Sequence, residues 1–141
     1  MVDASAIGPT QRNTLTPDSG LTLVRPGRAL VDGHSSHHVK PFEVYHGRLI
    51  LYGCGDWLTD YEGIGGHEEY RPELSLIYFP RLDPKTGRLV DLEMRPTRME
   101  RMQLHRTDER QAEWLADALT RPDSPSPPTV GPTPEGYLRL A

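Results

Sequence analysis

Three of the six histidines in this 141-residue chain fall within five positions, in the segment "VDGHSSHHVK" at residues 31–40. His34 and His37 are separated by two serines, and His38 follows directly. Two neutral imidazoles can reach one cation where the backbone turns between them, and imidazole suits zinc, iron and similar transition metals. Two histidines do not complete a site, because zinc commonly takes three or four protein ligands. The segment therefore indicates either part of a metal site or a solvated polar loop.

Further polar residues follow in the glycine-rich stretch "CGDWLTDYEGIGG". Asp56, Asp60 and Glu62 are carboxylates that could bind a metal or act as an acid and a base. A solvated acidic loop would have the same composition, so both interpretations stay open. Cys54 is the single cysteine, which excludes an internal disulfide. With glycines on both sides and no cation beside it, Cys54 is interpreted as a buried structural thiol.

A β-hairpin is expected to lie between these two polar segments. Strands over Phe42–Tyr45 and 48–52 are joined by His46 and Gly47, and a two-residue turn that ends in glycine is a strong hairpin signal. The second strand is apolar on both faces, which predicts a position inside a sheet rather than at its edge.

A second hairpin is expected to pair residues 73–80 with 88–96 around the turn residues of "RLDPKTG". Alternation in its return strand predicts a buried face formed by Val90, Leu92 and Met94. A further strand is expected within 98–106, with Met102 and Leu104 inward.

One helix is expected over about 107–120. Thr107 would cap it, and the acidic residues of its first turn suit the positive end of the helix dipole. Pro122 prevents its continuation. The apolar stripe consists of Trp114, Leu115, Ala118 and Leu119.

Composition divides the chain into three parts. Residues 1–30 are rich in Thr, Ser, Pro and Gly and predict a poorly ordered leader. Residues 31–120 hold the regular elements, and 121–141 form a proline-rich tail with a short final strand in "YLRL". Strands and a helix in this order indicate a mixed α/β chain of the α+β class, with two β-hairpins and one helix.

The charge pattern argues against a nucleic-acid partner. Sixteen basic residues are scattered among twenty acidic ones, for a net charge of −4, without a basic stripe. No segment approaches the roughly 20 apolar residues of a membrane span. The first thirty residues contain no run resembling a signal peptide, so the sequence as written predicts a cytoplasmic protein.

The segment "GHSSHHVKPFEVYHGRLILYGCGDWLTDYEG" resembles the C-terminal signature of the CapA family, the capsule and poly-γ-glutamate synthesis proteins related to calcineurin-like metallophosphoesterases. The family pattern has a Gly-His, a second His, an extended run with Glu, a Tyr-x-Gly-Arg/Lys-Leu-Ile run, and a Tyr-Ser/Gly-x-Gly-Asn/Asp-Phe/Trp block. These correspond here to Gly33-His34, His37, Glu43, and the runs 45–50 and 52–57. A looser likeness continues to about position 120.

The resemblance implies the C-terminal part of a metallophosphoesterase-like β-sandwich flanked by helices, with a two-metal centre that activates hydroxide. His34 and His37 would be metal ligands in it. The cofactor would be a divalent ion (Mn, Zn or Fe), held weakly by this chain alone. His38, Glu43 and Asp56 are the other residues assigned to the site loop.

The family's earlier metal motifs are missing. No Asp-x-His, Gly-Asp or Gly-Asn-His precedes His34, the first histidine of the chain. We therefore expect the C-terminal fragment of a CapA-like protein, of metal-dependent hydrolase ancestry but without catalysis of its own. The alternative is a non-catalytic interaction module, or half of a split protein that completes a metal site with a partner chain. The expected partners are the missing N-terminal half or a second copy, because an uncovered sheet edge favours association.

Overall fold

A computed structural model describes residues 30–32, 37–56, 58, 68–120 and 128–141. These residues confirm the α+β class, with two hairpins and one α-helix in the described part of the chain. A 3-10 turn, Glu68–Tyr70, precedes the fourth strand. The other elements are β1 Leu30–Asp32, β2 Phe42–Tyr45, β3 Arg48–Leu51, β4 Leu74–Leu82, β5 Leu89–Glu100, β6 Gln103–Arg106, α1 Glu109–Leu119, β7 Val130–Pro132 and β8 Leu138–Leu140.

The smaller sheet has the order β1-β3-β2. β3 lies in the centre, as its two apolar faces predicted, with β1 parallel to it and β2 antiparallel. His46 and Gly47 both have positive φ, at 50° and 76°, in the turn between β2 and β3. A two-residue turn with both φ values positive matches the right-handed twist of the flanking strands. The predicted first hairpin is confirmed.

The larger sheet has the order β4-β5-β8-β7, and β6 also pairs with β5. All its pairings are antiparallel, and the β4–β5 hairpin runs from Leu74↔Arg98 to Leu82↔Leu89. Its turn is closed by Asp83, whose Oδ1 accepts hydrogen bonds from the backbone N–H groups of Lys85 and Thr86. Because these hydrogen bonds join residues only two and three positions apart, the turn can be predicted from the sequence.

Helix α1 begins one residue later than predicted. Asp108, not Thr107, is the N-cap, because its carboxylate accepts the Gln111 N–H at 2.8 Å. The Gln111 side chain accepts the Asp108 N–H in return, which completes a capping box. The buried face consists of Ala112, Leu115, Ala116, Ala118 and Leu119.

Both sheets and the helix share one core. Leu115 of α1 lies in the same buried cluster as Phe42 of the smaller sheet and Leu92 of the larger one. At the other end of β2 and β3, the Leu89 N–H donates to the Gly47 carbonyl at 2.6 Å. The Arg48 guanidinium donates to the Thr86 carbonyl at 3.0 Å. These contacts fix the first hairpin against the second.

Three predicted core residues are exposed, and their predictions are wrong. Val90 is 55% exposed, Met102 55% and Leu104 38%, although Leu92 and Met94 are buried as predicted. The β4–β5 register shifts beside Val90, so Leu89 and not Val90 pairs with Leu82 and packs against the core. Met102 lies in the turn between β5 and β6, and Leu104 lies in β6, which pairs with β5.

The segment predicted as one strand, 98–106, is divided by a turn. Arg101 and Met102 both have positive φ, at 52° and 60°, where β5 ends and β6 begins. In the tail, the predicted final strand is present as β8. Its partner β7 was not predicted, because Pro132 reads as a loop residue but is tolerated in an edge strand. No helix within the described ranges is long and apolar enough to cross a membrane.

Candidate functional site

The first hairpin brings two predicted site residues together by its register. Each β2–β3 pair, from Tyr45↔Arg48 to Phe42↔Leu51, has residue numbers that add to 93. Beyond the strands the same register continues in the Val39↔Cys54 bridge and in the hydrogen bond from Lys40 N–H to the Gly53 carbonyl. The residue numbers of His37 and Asp56 also add to 93, so the same register places His37 opposite Asp56.

His37 and Asp56 are in direct contact. Nδ1 of His37 lies 2.7 Å from Oδ2 of Asp56, with 48% and 25% of the two side chains exposed. An ionised carboxylate only accepts hydrogen bonds, so Nδ1 carries the proton and donates it. In the neutral ring the lone pair is then on Nε2. A carboxylate that orients a histidine in this way is the usual companion of a metal-bound imidazole.

Gly55 allows the two segments to approach each other. Its φ is +75°, and a Cβ at this position would lie 3.1 Å from Ser75 Oγ and 3.3 Å from the backbone of His38 and Val39. A side chain here would therefore meet both a left-handed backbone conformation and close neighbours.

Replacing Gly55 by alanine is expected to lower the free energy of unfolding by more than the about 1–2 kcal/mol that the left-handed conformation alone costs, because the new Cβ also meets close neighbours. Urea denaturation measures the loss. Gly136 has a similar φ of +80° with nothing within 4 Å, so Gly136→Ala is the matched control for strain without crowding. A Gly55→Ala loss no larger than that of the control would show that the close approach is unimportant.

The other candidate site residues do not share one environment. His38 stacks on Tyr70 of the 3-10 turn, with ring centroids 4.5 Å apart and planes inclined by 16°. The stacking on Tyr70 therefore fixes the orientation of the His38 ring. Cys54 forms no disulfide and is partly buried against the core. Outside the described residues lie His34, Asp60 and Glu62.

Glu43 is placed differently from a residue of a solvated loop. It lies within β2, it is only 5% exposed, and Ile50 is its partner in the register. Neither its Oε1 nor the Tyr52 hydroxyl has a hydrogen-bond partner among the described residues. Burial of the Tyr52 hydroxyl, and then the charge of Glu43, hold the pKa of that phenol well above its ordinary value.

Glu43→Gln is expected to lower the pKa of Tyr52 only in part, because burial is the larger cause of its elevation. The Tyr52 pKa should stay above the ordinary tyrosine value of about 10. Ring-carbon NMR through an alkaline titration resolves this tyrosine from the other five. Glu100→Gln, at an exposed position in β5, is the control and should leave the titration unchanged. If the pKa of Tyr52 is the same in Glu43→Gln as in the wild type, the charge of Glu43 does not contribute to its elevation.

The described residues supply only part of a metal site. No group of three or more His, Cys, Asp and Glu side chains within the described ranges is arranged to hold an ion. The donor chemistry nevertheless fits one metal ligand, since His37 is an imidazole oriented by a carboxylate. Any complete centre needs ligands from outside these residues.

The contact of His37 with Asp56 has a signal in the sequence. A turn centred between residues 46 and 47 fixes the sum of paired residue numbers, and that sum places His37 against Asp56 without any structure. No such signal indicates that Tyr52 lies beside Glu43 or that Tyr70 stacks on His38. Tyr70 is 32 positions from His38 in the sequence, and a ring contact over that separation depends on tertiary packing.

Comparison with known proteins agrees with the resemblance of the motif. Residues 19–61 match the family model described as bacterial capsule synthesis protein PGA_cap. The chain is 50% identical over 99 residues to a probable polyglutamine synthesis accessory protein of Mycobacterium tuberculosis, in both strain CDC 1551 / Oshkosh and strain H37Rv. That alignment covers 70% of this chain and 26% of the relative, so the chain spans about a quarter of the relatives' length. Residues 19–61, which include the histidine motif and the first hairpin, therefore match the bacterial capsule synthesis family, in agreement with the resemblance of the motif to the CapA family.

Proposed function

We propose that this chain is an accessory component of capsule or poly-γ-glutamate synthesis that contributes ligands to a divalent metal centre. The observation that carries the proposal is the 2.7 Å contact between His37 Nδ1 and Asp56 Oδ2. Both residues lie inside the segment matched by the capsule synthesis family. The contact prepares Nε2 of His37 for a cation and holds the ring in one orientation.

His37 would hold the metal through Nε2, and His34 would be the second imidazole, as the CapA resemblance implies. Manganese, zinc or iron suits such ligands. In a metallophosphoesterase-like centre the ion, when bound, supplies an activated hydroxide and stabilises negative charge. Asp56 is a positioning residue in this proposal, because it acts through the imidazole and not on the metal.

The chain by itself is proposed to bind metal weakly and to catalyse no phosphoester hydrolysis. A two-metal centre needs several more protein ligands than His34 and His37 provide. The other ligands would come from a further part of a longer protein, or from a partner chain. The small share of the relatives that this chain covers supports such an arrangement.

Calorimetric titration of Mn²⁺ or Zn²⁺ into the purified chain tests the proposal, together with a phosphodiesterase assay in the same metals. Weak binding that depends on His37, without turnover above background, is expected. Binding that does not depend on His37 would contradict the metal role. Robust turnover would contradict the incomplete centre.

A further inference from the structure

A surface pocket of about 270 Å³ lies between two strands that pair with the same edge of β5. β4 pairs along one edge of β5, so β6 and β8 share the other edge. β6 pairs with residues 97–100 of β5, and β8 pairs with Glu93 and Met94. The pocket lies in the interval between these two pairings, and we call it the strand-gap pocket. Its lining includes Ile77, Arg95, Pro96, Arg106, Glu135 and Tyr137.

Arg95 is held in place in the wall of the strand-gap pocket. Its guanidinium carbon lies 4.5 Å from the ring centroid of Tyr137 and 5.0 Å from that of Phe79. A cation is attracted to the negative faces of aromatic rings, so the two rings fix the position of the guanidinium group. Its Nε is 3.6 Å from a Glu93 oxygen, a loose ion pair at an exposed site. Arg95 therefore keeps N–H donors for a further acceptor.

Two further charged residues of opposite sign line the strand-gap pocket. Arg106 ends β6, and Glu135 lies in the turn between β7 and β8; both are exposed. Neither takes part in an ion pair among the described residues. Opposite charges that line one pocket without neutralising each other favour a ligand that carries charges of both signs.

The other side chains of the lining add an apolar surface to these charges. Ile77 is the partner of Arg95 in the β4–β5 register, Pro96 is buried, and the ring of Tyr137 is half-buried. The volume is slightly below the roughly 300–1,000 Å³ of pockets that hold drug-sized ligands. The strand-gap pocket therefore suits a small zwitterion with an apolar group.

We propose that the strand-gap pocket binds a free α-amino acid whose side chain is apolar. Arg95 and Arg106 would bind the α-carboxylate, because the planar guanidinium fork matches a carboxylate with two parallel hydrogen bonds. Glu135 would bind the α-ammonium group, and the side chain would pack against Ile77 and Tyr137. The proposal goes beyond the proposed metal centre, uses none of its residues, and lies outside the segment matched by the capsule synthesis family.

An amino acid with an acidic side chain fits this pocket less well than one with an apolar side chain. Glu135 lines the pocket and Glu93 lies beside Arg95, so a second carboxylate on the ligand would lie near like charges and be repelled. Both arginines of the lining are already engaged with the α-carboxylate. Glutamate is therefore expected to bind more weakly than leucine does.

Titration of L-leucine into the chain, followed by NMR of the backbone amides of Thr107 and Gly136 in the pocket lining, tests the proposal. Leucinamide, which lacks the carboxylate, and N-acetyl-leucine, which lacks the ammonium group, are the matched ligands, and L-glutamate adds a charge. Arg106→Gln and Glu135→Gln are compared with Arg110→Gln, a change at an exposed arginine of α1 outside the pocket. Circular dichroism checks that each variant is folded.

Leucine is expected to bind with a Kd on the order of 1 mM, as suits so small a ligand. The wild type should bind leucine about tenfold more tightly than either derivative, the effect of one charged hydrogen-bonding pair. Arg106→Gln should reduce the preference for leucine over leucinamide and keep the preference over N-acetyl-leucine. Glu135→Gln should do the reverse. A general loss of structure would not remove the two preferences separately.

Arg110→Gln should bind all four ligands as the wild type does. The proposal would be overturned by equal binding of leucine and its two derivatives, by tighter binding of glutamate than of leucine, or by equal effects of Arg106→Gln and Arg110→Gln. Absence of saturable shifts at leucine concentrations about tenfold above the expected Kd would overturn it as well.

Discussion

His37→Ala is expected to reduce the binding of Mn²⁺ or Zn²⁺ to the background level of the chain, because it removes the imidazole that the Asp56 carboxylate orients. Asp56→Asn should weaken binding about 10–100-fold, the usual effect of losing a residue that orients a metal ligand. The asparagine keeps the size of the side chain but loses the charge that favours the Nδ1–H form. Isothermal calorimetry measures both affinities.

The controls separate metal binding at this site from adventitious binding by histidine. His105→Gln changes a histidine of β6 and should leave the affinity unchanged. Binding by the wild type should be tighter at about pH 8 than at about pH 5.5, because protons compete with the metal for imidazole nitrogen. If His37→Ala and His105→Gln bind metal equally, the histidine segment is a polar loop and the ligand role inferred from the CapA resemblance fails for this chain.

Leu115→Ala is expected to lower the free energy of unfolding by about 2–5 kcal/mol, the range for truncating a fully buried leucine. Leu115 is 0% exposed and belongs to the cluster that joins the helix to both sheets. The cavity would therefore weaken the contact between the first hairpin and the larger sheet. Urea denaturation followed by circular dichroism gives the change.

The matched control is Glu113→Ala on the exposed side of the same helix, where a change within about 0.5 kcal/mol is expected. Alanine at either position keeps the helix propensity high, so the comparison isolates burial. A loss below about 1 kcal/mol for Leu115→Ala would show that the helix adds little to the shared core. Coupled loss of metal binding in this variant would show that the site depends on the packing of the hairpin.

The local features of the fold were predictable because their causes lie within a few residues. A turn at His46 and Gly47 requires positive φ, and the polar residues around Pro84 and Gly87 close their own turn by hydrogen bonds. The helix was predictable from its apolar spacing, although Asp108 and not Thr107 caps it. Even the contact of His37 with Asp56 follows from sequence, since antiparallel register is determined by the position of the turn.

The sequence by itself therefore determined the hairpins, the helix and the family motif, while the structure showed that His37 and Asp56 are in contact. The tertiary structure decided which apolar positions are buried, because the register shift between β4 and β5 places Leu89 and not Val90 against the core. It also decided that Glu43 is buried beside Tyr52, and that Phe79 and Tyr137 enclose Arg95. These contacts join residues far apart in the chain, and periodicity within one strand carries no information about which strand or ring lies next to it.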